Sequence, residues 1–350
     1  MTNTDRGYDT MTTLMRQEIN EIPDAVARLL DNASADFQEA GAKLKARDPA
    51  VIVTIARGSS DHAAHFLKYA IELQTGLPVA SLGPSLASIY QTQLRLERAA
   101  AFAVSQSGKS PDIVALTQSA RKGGALTFSL VNTLPSPLGD AADHAINIQA
   151  GPEKAVAATK SFVNSIVAGL AILAAWTEDE QLAEAVGALP QNFASAVALD
   201  WSQIGEAVKG EESLYMLGRG PALAIAAEAA LKCKETCELH AEAYSSAEVM
   251  HGPVSLVAPK FPIIAFAARD RAETSVTEIA SGLAGKGASV FVTSAKGSPA
   301  KSLPFVETNH PLTDALLLIA PFYGFIEQLS RARGFNPDAP VALKKVTETQ

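Results

Sequence analysis

Two stretches of this chain, whose Arg-Gly pairs lie 162 positions apart, are built on one plan. VIVTIARGSSDHAAHFLKYAIE from Val51 and LYMLGRGPALAIAAEAALKCKE from Leu214 each pass from an apolar strand through Arg-Gly into an alanine-rich segment with helical spacing. Arg57 of the first answers to Arg219 of the second. The same offset carries AFAVSQSG into the apolar IAFAARD at Ile264, and ALTFSLV after Gly124 meets ASVFVTS after Gly287 with one residue of slippage. Three matches at nearly one spacing indicate a duplicated unit. Each copy alternates strand and helix, so each is expected to be an α/β domain: a parallel sheet covered by helices on both faces.

A chain of 350 residues is too long for one ordinary core, which suits two such domains. The expected division is an N-terminal helical segment over 1–34, a first domain over 35–190, a second over 191–335, and a polar, proline-bearing tail over 336–350. Hydrophobic content of 47% with 19% charged residues is that of a folded globular protein. A net charge of −8, with no basic cluster, argues against nucleic acid as partner. The longest apolar run, IVAGLAILAAW, is too short to span a bilayer, so no membrane association is expected. Cys233 and Cys237 lie four apart on a helical face without further metal ligands and read as packed free thiols, pointing to a reducing cytoplasm.

In a parallel sheet of this kind, ligands bind beyond the carboxyl ends of the strands. Two turns fall there: Gly58-Ser59-Ser60, and SQSGKSPD from Ser105 to Asp112. The second contains Gly-Lys-Ser but is no nucleotide loop, because the glycine that a Walker A turn needs five positions earlier is replaced by Ala103. Ser60, Ser105, Gln106, Ser107 and Ser110 instead form a cluster of hydroxyl and amide donors before a helix, chemistry suited to a single phosphate. Any one of these serines alone would read as a cap or turn former; their density favours binding. The matching turn of the second copy, AARDRAE, has lost the hydroxyls, so only the first copy is expected to grip an anion.

A second constellation lies in LKCKETCELHAEAYSSAEVMHGP. Lys232 and Glu235, three apart, share a helical face and could exchange protons, although an ordinary surface pair has the same spacing. His240 and His251 follow, the latter before Gly-Pro. His62 and His65 could be facial metal ligands, but no carboxylate joins them in H-E-x-x-H spacing, and helix-surface histidines are the expectation; no metal is assigned.

Taken in order, SQSGKSPD, VAATKSF, LKCKETCELHAEAYSSAEVMHGP and the closing LKKVT resemble the sugar isomerase (SIS) family over roughly Ile55 to Lys345. More closely, they resemble the isomerase half of glucosamine-6-phosphate synthases and the freestanding type II glucosamine-6-phosphate deaminases. The resemblance implies two tandem flavodoxin-like SIS domains, each a three-layer α/β/α sandwich with a parallel sheet. It places the phosphate of a hexosamine or hexose 6-phosphate at Ser60, Ser105, Gln106, Ser107 and Ser110. Glu235 is implied as the base shuttling a proton between C1 and C2, with Lys232 assisting. His251 is implied to open the sugar ring from a neighbouring subunit, hence a homodimer with a shared site. Lys345 in the tail is implied to contact the sugar carbonyl, making the tail a lid, and no metal or organic cofactor is required.

Two positions depart from the family pattern. Ala158 stands in Val156-Ala157-Ala158-Thr159-Lys160 where synthases carry serine, and Lys109 stands where they usually carry an acid. The chain begins Met1-Thr2-Asn3, without the cysteine nucleophile of a synthase's glutaminase domain, so ammonia release is the expected direction. The expected reaction is glucosamine 6-phosphate plus water giving fructose 6-phosphate and ammonia. The alternatives are a fructosamine-6-phosphate deglycase, a galactosamine-6-phosphate deaminase, and a sugar-phosphate-binding regulator.

Overall fold

The structure, a computed structural model, describes residues 12–341, 343 and 345. Among the described residues, ten strands form two five-stranded sheets, every pairing parallel. The first contains β1 (Val51–Ile55), β2 (Val79–Ser81), β3 (Ala99–Ser105), β4 (Leu126–Val131) and β5 (His144–Asn147), in the order β2-β1-β3-β4-β5. The second contains β6 (Ser213–Gly218), β7 (His240–Ser245), β8 (Pro262–Ala265), β9 (Ser289–Val292) and β10 (Lys301–Ser302), in the order β7-β6-β8-β9-β10. Renumbered within each half, the two orders are identical. The duplication is therefore one of topology as well as of sequence.

It extends to backbone angles. Gly58 has φ 56° and ψ −135°, and Gly220 has φ 59° and ψ −136°, a region open only to glycine. Each glycine starts an equivalent helix, Ser59–Thr75 in the first half and Pro221–Cys237 in the second, and these two helices pack against each other across the seam.

The alternation of residues along the strands explains why the halves form a single body. Ile52, Ala100, Phe102 and Phe128 on one face of the first sheet share a continuous core with Leu214, Met216, Ile264 and Phe291 of the second. The opposite faces, Val53, Ile55, Ala101 and Ala103 in the first half and Tyr215, Leu217, Ile263 and Val290 in the second, feed separate cores. Strand β3 is mostly alanine, a poor intrinsic strand former; its central place in the sheet and full burial override that preference.

The expected N-terminal helical segment is present as Leu14–Asn20 and Ile22–Arg47. Its second helix runs past residue 34, burying Val26, Leu29, Phe37 and Leu44 in the shared core, so the division drawn at residue 34 falls inside a helix. The division at 190 likewise falls inside the Leu189–Ala196 helix. Lys160–Thr177, which contains the longest apolar run, and Pro311–Ala332 are long and apolar enough to cross a membrane by length and composition, but they are 78% and 94% buried within the protein. Their apolarity is that of core helices surrounded on all sides. The tail is fastened at its start: the Asp338 carboxylate accepts the backbone N–H groups of Leu14 (2.9 Å) and Met15 (2.8 Å), and its carbonyl accepts that of Val156 (3.0 Å).

Candidate active site

Strands β1 and β3 are neighbours whose onward connections leave toward opposite edges, which makes their carboxyl ends the topological switch point of the first sheet. Both hydroxyl-bearing turns emerge there. Ser105 is nearly buried and spends its hydroxyl on the turn itself, accepting the N–H of Gly108 at 3.1 Å. Ser107 accepts the N–H of Lys109 at 3.3 Å. Ser110 occupies the cap position of the Pro111–Lys122 helix, yet its side chain caps nothing. Ser60, Gln106 and Ser110 make no side-chain hydrogen bond among the described residues, which leaves their donors available to a ligand.

Gly108 is what lets the turn close. Its φ is +66°, and a Cβ there would lie 2.5 Å from Ser136 Oγ. Gly108→Ala is expected to lower stability by about 1–3 kcal/mol, read as a shift of the urea midpoint at constant slope.

The acid-base constellation sits on the Pro221–Cys237 helix, where that helix meets its counterpart from the first half. Lys232 is fully buried. Its ammonium pairs with Glu235, lies 3.3 Å from Glu228 Oε1, and donates to Ser59 Oγ at 3.0 Å. The second-half lysine thus bonds directly to the Gly58-Ser59-Ser60 turn of the first half. Glu228 is fully buried as well; His62 Nδ1 lies 3.0 Å from Oε2, and the Tyr323 hydroxyl donates to Oε1 at 3.2 Å. Of Lys232, Glu228 and Glu235, Glu235 alone reaches outward, with its side chain 20% exposed.

Burial alone would push the Lys232 ammonium toward its neutral form, but Glu228 and Glu235 outweigh burial and raise its pKa above the ordinary lysine value. Burial likewise opposes the Glu228 charge, and Lys232 together with His62 overrides it, so its pKa is lowered. Lys232 is therefore a fixed positive charge rather than a proton acceptor. Burial and the Glu228 charge raise the Tyr323 phenol well above its usual pKa, leaving it a donor. Burial also raises both thiols, Cys237 to about 11, which leaves them unreactive.

Lys345 comes to the first half, lying 3.2 Å from Glu153 Oε2 and donating to the Ala155 carbonyl at 2.7 Å. Glu153 is buried and also accepts from Thr159 N, Ser161 N and Ser161 Oγ. Burial resists its charge, but Lys345 and the Ser161 hydroxyl overcome this and lower its pKa. Ala158 is half-buried on the same loop, beside Thr159, whose buried hydroxyl has no hydrogen-bond partner among the described residues. His251 is exposed on a short 3-10 turn, and among the described residues it makes no bond to the other candidates. His240 starts β7 and contacts Ser213, at the opposite end of the sheet from the strand ends that face the site.

Sequence reasoning missed Glu228, Tyr323 and Glu153; it named Ser59 only as part of the Gly58-Ser59-Ser60 turn, and it took His62 for a helix-surface histidine, whereas the ring contacts buried Glu228. Glu228 stands four residues before Lys232, a helical ion-pair spacing that was available in the sequence. The His62 contact has no local signature.

The SIS domain profile matches residues 47–175 and again 208–332. The glutamine–fructose-6-phosphate aminotransferase (isomerizing) of Sulfurisphaera tokodaii is 30% identical over 96% of this chain and 56% of its own length. That of Caulobacter vibrioides is 31% identical over 84% of this chain and 51% of its own length. The chain thus spans little more than half of these relatives. Among solved structures, a protein from Silicibacter pomeroyi with a provisional phosphosugar isomerase assignment superposes with a TM-score of 0.90 at 54% identity, covering 93% of this chain and all of that one. The C-terminal domain of the glucosamine-fructose-6-phosphate aminotransferase of Francisella tularensis gives 0.82 at 26% identity, covering 95% and 99%.

Proposed function

The chain belongs to the SIS domain family, and from that premise we propose that it is a phosphosugar aldose–ketose isomerase and deaminase, converting glucosamine 6-phosphate and water to fructose 6-phosphate and ammonia. One observation carries the reading: a partly exposed carboxylate, Glu235, is held by a charged Lys232 that is itself bonded to Ser59 of the hydroxyl-bearing turn after β1.

In this reading Ser60, Ser105, Gln106, Ser107 and Ser110 hold the phosphate, distant from the reacting carbons, and supply position; the Ser105 hydroxyl accepts from Gly108 and keeps its own proton to donate. His251 opens the ring, contributed by the partner in a homodimer. Glu235 removes the C2 proton and returns it at C1, leaving an imine at C2. Water adds to that imine, and ammonia leaves with fructose 6-phosphate. Lys232 stabilises the ionised base and the negative charge that develops on the sugar. Lys345 contacts the open-chain carbonyl. The enzyme is proposed to be cytoplasmic.

The test is ammonia release by purified protein with glucosamine 6-phosphate, galactosamine 6-phosphate and fructoselysine 6-phosphate, with enzymatic detection of fructose 6-phosphate. Ammonia and fructose 6-phosphate in equal amounts from the first sugar support the proposal; silence on all three overturns it. Ser107→Ala is expected to raise KM while leaving kcat within about threefold, because a phosphate contact present in both ground and transition states affects binding alone. A kcat loss with unchanged KM would place Ser107 at the reacting carbons instead.

A further inference from the structure

The second half carries a pocket of its own. At the carboxyl ends of β6 and β8, a cavity of about 900 Å³ opens beside Arg219, Gly220 and Arg271, walled on one side by Tyr69 and Leu73 of the first half. It occupies the position that the hydroxyl-lined turns occupy in the first half; the serines of the first turn are replaced by Pro221 and Ala222, while Arg219 keeps the place of Arg57.

The duplication explains how the charge became available. In the first half Arg57 is neutralised by Asp112, whose side chain is fully enclosed. Strands β4 and β9 start 163 residues apart, and at that offset Asp112 answers to Ser275. Arg219 makes the equivalent contact, donating to Ser275 Oγ at 3.0 Å, but the carboxylate is gone. Arg219 is exposed and has no acidic partner among the described residues, and the same holds for Arg271.

The other charged groups of the lining are committed or lie at the rim. Arg269 pairs with Asp314 at 2.9 Å, donates to the carbonyls of Thr293 and Ala267, and stacks on Phe305. Asp270 accepts the N–H of Ala272 at the start of the Glu273–Gly285 helix. Glu248 is exposed. By contrast, the Pro221–Cys237 helix begins without a side-chain cap, and a Cβ on Gly220 would meet nothing within 4 Å, so there is open space beside the glycine that precedes the helix, although Pro221 and Ala222 are buried. Ser246, between the lining residues Ser245 and Ala247, is fully buried with a hydroxyl that has no partner among the described residues.

We propose that this pocket is a second ligand site, which binds a small phosphate monoester between Arg219 and Arg271 at the open helix start. Two unneutralised guanidinium groups and an uncapped helix N-terminus are complementary to a dianionic phosphate, and the cavity has room for a phosphorylated sugar-sized molecule. The inference does not depend on the reaction proposed above.

Calorimetric titration of the full chain with glucitol 6-phosphate, which has no carbonyl and does not react, tests it. The wild type is expected to show two sites per chain. The double substitution Arg219→Ala/Arg271→Ala should weaken one of them by about tenfold or more, while Ser107→Ala weakens only the other. The arginine-dependent site should also lose affinity faster as sodium chloride is added, because full charges hold it. Both arginines are exposed, so an unchanged melting temperature serves as the folding control. An arginine double variant whose titration matches wild type overturns the second site. A Ser107→Ala titration matching wild type overturns the hydroxyl cradle and leaves the arginine site standing.

Discussion

Glu235→Gln is expected to bind a sugar phosphate as the wild type does and to turn over about 10²–10⁴ times more slowly, the usual contribution of a positioned general base. The amide keeps the size of the carboxylate and can still accept from Lys232 through its carbonyl oxygen, so the Lys232–Ser59 link should survive. What is lost is the capacity to take a proton from C2. Two measurements separate this from a structural effect. Glucitol 6-phosphate affinity should be unchanged, and exchange of the C2 hydrogen with solvent deuterium should fall in step with ammonia release. Near-wild-type turnover in the variant would remove Glu235 from the mechanism. Full hydrogen exchange without ammonia would confine its loss to a later step.

The second large effect concerns stability. Glu228→Leu removes a fully buried carboxylate from beside a fully buried ammonium, leaving Lys232 only the partly exposed Glu235. Breaking a buried pair from one side costs about 3–5 kcal/mol, since the surviving charge keeps its desolvation penalty. The variant should show that loss in urea denaturation. Glu228→Leu/Lys232→Met should recover about 2 kcal/mol or more, because no buried charge then lacks its partner. A double variant as unstable as the single one would place the cost in packing around Tyr323 and His62 rather than in charge.

The pH dependence follows from the direction of the shifts. Glu228 has a lowered pKa in the folded protein, so its contribution is fully present above its unfolded value, near 4.5, and is lost as pH falls through the folded value. Lys232 is raised, so its contribution is fully present below 10.5 and is lost only as pH rises through its higher folded pKa. The stability difference between wild type and Glu228→Leu should accordingly be flat from about pH 8 to 9 and shrink in strong acid, as Glu228 takes up its proton.

The functional contrast between the halves is only partly visible in the primary structure. AARDRAE had lost its hydroxyls, and on that ground the second half was not expected to grip an anion. The loss of Asp112's counterpart pointed the other way, but it has meaning only once Arg57 is seen to pair with Asp112 and Arg219 to contact Ser275. The tail shows the same limit. LKKVT could be matched to a family motif, whereas Lys345's approach to buried Glu153 joins residues 192 apart.

The primary structure by itself determined the duplicated α/β units, the parallel sheets, the switch-point position of Ser105–Ser110, and the shared face of Lys232 and Glu235. Each of these is written in short-range periodicity or in a repeat spacing, which local sterics and helical geometry translate directly. The tertiary structure alone decided that Lys232 stays charged, that Glu228 and His62 complete its surroundings, and that the helices bearing Ser59 and Lys232 meet. These depend on how two equivalent helices pack across the seam, where burial and charge are set jointly by residues up to 173 positions apart.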